Sequence, residues 1–219
     1  MSHTSAQLEH IYALLFERFG KRHWWPADSP FEVIVGAVLT QNTAWTNVEK
    51  AIANLKAAGV LSTDRLHSLA VAEVARLIRP SGFYNQKAKR LKAVVEYLMD
   101  RYKGSIDAMG EKNTAELRDE LLSIKGIGRE TADSILLYAC CKPVFVVDSY
   151  TYRVLSRHGL ADERMTYDSL QQIFMDNLEH DVMVFNEYHA LIVELAKRHC
   201  RTQPRCDDCP LSELPASLL

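Results

Sequence analysis

No stretch of this 219-residue sequence stays apolar long enough to cross a bilayer, and the opening MSHTSAQLEH lacks the basic-then-apolar pattern of an export signal. A cytoplasmic protein with no membrane partner is therefore expected. Positive charge in excess is missing too. The formal net charge is −2, which excludes a generally basic nucleic-acid coat and leaves only local basic patches to consider. The eight histidines form no HExxH or paired i, i+4 pattern, so none is singled out as a metal ligand. There is no internal repeat and no low-complexity segment, and strand signals are almost absent. What remains, 47% apolar and 25% charged residues, is the composition of a globular chain able to bury one or two cores.

The patterning that is present is helical. Ser29-Pro30-Phe31-Glu32 forms a capping box with proline in the first turn. It launches 31–40, which is apolar nearly all round and so expected to be buried. Helices are also expected at the N-terminus and at 42–58, 63–78, 87–102, 150–158, 167–178 and 186–199, with turns at Gly59, Pro80-Ser81-Gly82, Gly104 and Gly159. With the pair described next, that makes an all-α chain of about ten helices. Between Arg79 and Lys103 seven Lys/Arg stand against two acids, and Asn85–Arg90 follows a turn, where basic side chains can meet phosphates. A solvated helix face is the plainer reading of the same run.

The most informative stretch is IKGIGRETADSILLY, residues 124–138, followed by VVDS at 146–149. Asn113 and Glu116 begin a helix that places Leu117, Leu121, Leu122 and Ile124 on one stripe. Gly126 and Gly128 then bracket Ile127, and Ala132, Ile135, Leu136 and Ala139 recur at helical spacing. Two helices joined by so tight a turn expose backbone N–H groups where the helix dipole favours an anion. Asp148 closes the VFVV run twenty residues after Gly128. As a helix N-cap it would keep a low pKa, which also suits a carboxylate that must stabilise positive charge or orient a water.

From about Trp24 to Cys209 the chain resembles the helix-hairpin-helix, Gly-Pro-Asp superfamily of DNA glycosylases, in its endonuclease III branch. The segments WWP, FEVIVGAVLTQNTAW and RPSGFYNQKAKRL are closest to the 3-methyladenine glycosylases of that type. The resemblance implies a central lobe at 31–139 ending in the hairpin and a second lobe from 1–30 plus 140–219, with substrate in the cleft between. It implies that Lys125, Gly126, Ile127, Gly128, Arg129 and Thr131 hold a phosphate of double-stranded DNA, and that Asp148 is catalytic. Gln41 and Asn42 would lie at the DNA surface, where Gln41 can fill the gap left by a flipped nucleotide. As a plain helix end they would do neither.

Glu130 departs from the family. Members that also cleave the strand carry there the lysine that attacks C1′, and a carboxylate cannot form a Schiff base. On its own Glu130 is a first-turn acid favoured by the helix dipole. By resemblance, a chain without the lysine hydrolyses the base and leaves the abasic site uncut. Trp24, Trp25 and Pro26 lie in a turn-like stretch and Trp45 in a polar one, unlike tryptophans of a core stripe. The resemblance maps Trp24 and Trp45 onto a sandwich for the extruded base, with Trp25 and Pro26 lining the same pocket and Glu130 at its edge. An N-alkylated purine is cationic, and an indole face attracts it by about 1–2 kcal/mol in a desolvated site.

Cys200, Cys206 and Cys209 have the spacing C-x5-C-x2-C, similar to the [4Fe–4S] loop of the endonuclease III family. The fourth cysteine is absent, and Pro215 or a neighbour stands in its place. Either three cysteines and another ligand hold a cluster, or packing holds the loop. Cys140 and Cys141 read as small buried residues. The sequence thus points to a monofunctional glycosylase of base excision repair, monomeric and nucleoid-associated, acting on an N-alkylated purine such as 3-methyladenine. The alternatives are a glycosylase with lyase activity on oxidised or mismatched pyrimidines, and a non-catalytic binder using the same hairpin.

Overall fold

A computed structural model describes residues 2–214 of the chain, and among them the architecture is all-α: twelve α-helices, a 3-10 turn and a π-helical turn, with no strand. The chain divides into two compact units, Ala27–Lys142 and the pair Met1–Pro26 with Pro143–Leu219.

The first unit is built round α2 (Pro30–Leu39), whose residues from Phe31 to Leu39 are all buried. A helix with no polar face must be covered on every side. The cover comes from α3 (Trp45–Ala57), α6 (Tyr84–Tyr102), α9 (Arg129–Ser134) and the π turn (Ile135–Ala139). Past that turn, Cys141 stands at φ +51° and is exposed, not buried. Ser29 caps α2 by accepting the Glu32 N–H at 3.2 Å, while the Glu32 carboxylate accepts from Asp28 N–H at 3.1 Å and pairs with Lys56 at 2.8 Å. Asn42, at φ +53°, turns the chain sharply, so α3 starts at Trp45 rather than at 42.

The single helix expected at 63–78 is two, α4 (Thr63–Ser68) and α5 (Val71–Leu77). Leu69 and Ala70 are extended, with ψ of 144° and 149°, and Glu73 accepts the Ala70 N–H at 2.9 Å to start the second. The break lets both short helices lay buried residues, Leu66 and Val74, against α6.

The basic run at the start of α6 is partly interior. Lys87 is only 1% exposed, and its ammonium donates to Leu39 O at 2.8 Å and Ser81 O at 2.7 Å. It thereby satisfies carbonyls at the end of α2 and of the 3-10 turn (Arg79–Ser81). Burial, with Arg90 adding like charge, lowers its pKa to about 8. Lys87 is therefore a structural cation, not a phosphate contact.

After α7 (Ile106–Gly110), helix α8 (Thr114–Ser123) is tied to α6 through Glu120. Its carboxylate pairs with Lys112 and accepts from Tyr97 Oη at 2.6 Å and Tyr102 Oη at 2.8 Å. The Lys112 ammonium first, then the Tyr97 phenol, hold its pKa down to about 2. A carboxyl depressed on folding stabilises fully above its unfolded pKa, and that contribution is lost as pH falls from about 4.5 towards 2. Glu120→Gln should therefore lower the urea midpoint at neutral pH, and the gap to wild type should narrow as the titration is taken down to pH 3.

The second unit packs α12 (Val182–Arg198) on α1 (His3–Phe19) and on α10 (Ser149–Arg157), with α11 (Tyr167–Asn177) against α1. The run 144–147 is buried and extended without any ladder. Its carbonyl at Phe145 accepts from Gln171 Nε2 at 2.6 Å, and the Phe145 ring stacks on Phe174 at 3.7 Å between centroids, with Phe185 and Tyr188 edge-on. Tyr188 Oη in turn donates to Leu8 O at 2.8 Å. This aromatic anchor fixes the backbone immediately before Asp148.

Candidate active site

The hairpin forms between α8 and α9. Asn113 caps α8 by accepting from Ala115 N–H at 2.9 Å. The two legs are riveted by Arg118, which donates from Nε at 2.7 Å and Nη2 at 3.0 Å to the two oxygens of Asp133, a side chain with no exposure. In the turn, Ile127 is buried and its N–H bonds Ile124 O at 3.0 Å, while Lys125, Gly126, Gly128, Arg129 and Glu130 are exposed. Gly126 has φ +90°, and a Cβ there would lie 2.6 Å from Arg90 Cγ, so both backbone and neighbour require glycine. A Cβ on Gly128 would meet nothing within 4 Å, so the backbone faces open space at the start of α9.

Gln41 belongs to this group of residues. Its Nε2 donates to Thr131 Oγ1 at 2.9 Å, and Arg90 donates to its Oε1. Thr131 is buried, so its hydroxyl holds Gln41. Asn42 beside it is exposed. In the sequence Arg90 is one basic residue among several, and the structure gives it a specific place, against Gly126 and on Gln41.

Asp148 is the N-cap of α10. Its Oδ1 accepts from Thr151 N–H at 2.8 Å and from Thr151 Oγ1 at 3.0 Å, and its Oδ2 lies 3.6 Å from His189 Nε2 on α12. Burial pushes the carboxyl up, but His189 and then the Thr151 groups outweigh it, and the net pKa is below the ordinary aspartate value. Asp148 is thus a shielded carboxylate at neutral pH. His189 has no sequence signal: it falls in the middle of an apolar helix, in no recognisable motif.

Trp24 and Trp25 are half-buried, with ring centroids 5.6 Å apart and planes at 55°, and Lys197 Nζ lies 5.8 Å from the Trp24 ring. Pro26 is exposed. Trp45, in the other unit, opens α3 and its Nε1 donates to Glu49 Oε1 at 2.9 Å.

The three C-terminal cysteines lie in a loop that follows α12. Cys200 is buried, and Arg157 Nη1 donates to its Sγ at 3.2 Å. The same arginine bonds Arg201 O at 2.6 Å and Thr202 O at 2.9 Å, and Arg153 Nε bonds Cys200 O at 2.6 Å. Cys206 is exposed, and burial, opposed by the Leu211 N–H, raises the Cys209 thiol. Among the described residues no group of three or more His, Cys, Asp or Glu is placed to hold a metal ion. Pro215, at the place of the family's fourth ligand, lies outside the described residues. Arginines of α10 hold this loop.

Residues 35–180 match the family described as HhH-GPD superfamily base excision DNA repair protein. A Methanocaldococcus jannaschii protein provisionally named a DNA repair glycosylase is 49% identical over 205 residues, covering 93% of each chain. Endonuclease III of Thermotoga maritima is 29% identical over 92% of this chain and 89% of its own. Among solved structures, the H. pylori 3-methyladenine DNA glycosylase bound to 1,N6-ethenoadenine superposes with a TM-score of 0.77 at 33% identity, covering 89% of this chain and 97% of that one. A trapped covalent complex of endonuclease III with DNA shares the fold at a TM-score of 0.81 and 23% identity, over 94% and 93% of the two chains. The family match over most of the chain, together with the hairpin and its relatives, places this protein in the HhH-GPD superfamily of base excision repair, as a DNA glycosylase.

Proposed function

We propose that the chain is a monofunctional glycosylase that removes N-alkylated purines such as 3-methyladenine from duplex DNA. The observation that carries the reading is Glu130: an exposed carboxylate in the first turn of α9, at the position where strand-cleaving members need a nucleophilic amine. The neighbouring backbone of Gly126–Gly128, with Lys125 and Arg129, grips a phosphate. Thr131 keeps Gln41 ready to fill the space the flipped nucleotide leaves, with Asn42 at the DNA surface. By the family resemblance, Trp24 and Trp45 are the residues that stack the base, and Trp25, Pro26 and Glu130 further residues that contact it.

A cationic base is already a good leaving group. As the C1′–N bond breaks, its electron pair neutralises the purine and positive charge passes to the sugar. The Asp148 carboxylate stabilises that charge, water adds to C1′, and the proton released goes to the carboxylate or to solvent. The likeness to the H. pylori enzyme supports a methylated purine as substrate. Action as a monomer, in the nucleoid, is part of the same proposal.

The test is base release from a panel of duplexes. Dimethyl sulfate-treated DNA should yield 3-methyladenine, and duplexes with oxidised or mismatched pyrimidines should yield little. Release confined to the pyrimidines would replace this reading with the endonuclease III one, and no release from any would favour a non-catalytic binder. We also expect the purified protein to hold iron and sulfide far below four atoms each per chain and to show no visible iron–sulfur band. A stoichiometric cluster would contradict the arginine-held loop.

A further inference from the structure

We propose that His189 is a positioning residue for the reaction: from α12 it aims the second oxygen of the Asp148 carboxylate, which α10 alone leaves unaligned. The inference rests on the reading of Asp148 as the catalytic carboxylate and goes beyond it.

A carboxylate rotates broadly about its last bond, so one anchored oxygen does not orient the other. Here Thr151 engages Oδ1 twice, at 2.8 and 3.0 Å, and His189 Nε2 faces Oδ2 at 3.6 Å. The two side chains are 7% and 15% exposed, so water competes little for Oδ2. The separation exceeds a formed hydrogen bond, as is common before substrate binds. The helix that carries the imidazole is well anchored. Tyr188, next in chain, is buried and bonds Leu8 O, and Glu187 accepts the Arg22 N–H.

Other charges nearby are already engaged. Glu194 pairs with Arg22 and Arg198, and Arg153 and Arg157 of α10 bond the carbonyls of 200–202. The groups that act on the Asp148 carboxyl are His189 from α12 and Thr151 from α10. Without His189, burial would push the carboxyl up with only Thr151 opposing it. The loss would therefore show in the rate and in its pH dependence, not in DNA affinity.

The test compares His189→Phe, His189→Gln and wild type on dimethyl sulfate-treated duplex under single turnover from pH 5 to 8. Affinity for undamaged duplex and the thermal midpoint are measured alongside. His189→Phe should slow excision about tenfold to a hundredfold, the range for losing one hydrogen bond to a charged group, with affinity unchanged. Its acid limb should move to higher pH. His189→Gln keeps an amide donor near the Nε2 position but loses the imidazole's charge interaction with Asp148, so it should restore most of the rate with the acid limb still raised. A His189→Phe protein with wild-type rate and acid limb would overturn the inference. If His189→Phe does not fold, an unmoved acid limb in His189→Gln overturns it equally. Full activity in Asp148→Asn would instead remove the reading of Asp148 on which the inference stands, an outcome distinct from either.

Discussion

Asp148→Asn should slow base release about 10²- to 10⁴-fold and leave the thermal midpoint almost where it is. The two expectations separate the two roles of one side chain. As a cap, Asp148 accepts the Thr151 N–H at 2.8 Å, and an asparagine carbonyl accepts the same bond at little cost. As a carboxylate, it carries a negative charge that the amide lacks, and in the proposed reaction that charge stabilises the sugar. Asp148→Ala removes both and should lose about 1 kcal/mol of stability besides the rate. The comparison is read from single-turnover release, where slow departure from the abasic product cannot mask the chemistry, and from thermal melts. An Asp148→Asn protein with undiminished release would reduce Asp148 to a helix cap.

The second large effect is on the hairpin. Arg118→Met should cost about 1–3 kcal/mol in urea denaturation, because it removes a guanidinium that donates twice to a buried carboxylate. Asp133 is 0% exposed and Arg118 23%, so the penalty falls on the aspartate. The pair is not expected to be a net source of stability. A double variant, Arg118→Met with Asp133→Leu, should recover most of the loss, since an apolar pair of similar volume avoids burying the charge. What it should not recover fully is DNA affinity, because the fork fixes α8 against α9 and so sets the turn between Ile124 and Gly128. A loss below about 1 kcal/mol in the single variant would mean that the pair is solvated like a surface ion pair.

Much of this arrangement is legible in the sequence alone. The Ser29 and Asn113 caps, the wholly apolar α2 and the glycine-bracketed Ile127 are local signals, and local chemistry decides them. Asp148 is legible as a cap because its acceptor and the Thr151 N–H lie three residues apart. What escapes the sequence is non-local. Lys87 reads as part of a phosphate-facing run, yet its ammonium ends in the interior on two carbonyls that no pattern announces. The break at Leu69 and Ala70 follows from packing on α6, and neither residue is a helix breaker. Arg90, His189 and the arginines round Cys200 all act across long stretches of chain.

Glu130 also shows how one position changes meaning with its surroundings. Beside the hairpin alone it reads as a defect, a missing lysine. In a chain that also carries a shielded carboxylate at Asp148, and indoles suited to a cationic base, it fits the proposed reaction that water completes. Such an enzyme needs charge stabilisation and stacking, and it needs no amine.

Borohydride trapping tests that claim most directly. The protein is incubated with dimethyl sulfate-treated duplex and sodium borohydride, and strands are then examined with and without alkali. Hydrolysis without the lysine predicts no protein–DNA cross-link, and abasic strands that stay intact until alkali cuts them. A borohydride-stable cross-link, with strand breaks forming before alkali, would show an amine attacking C1′ and would contradict the account.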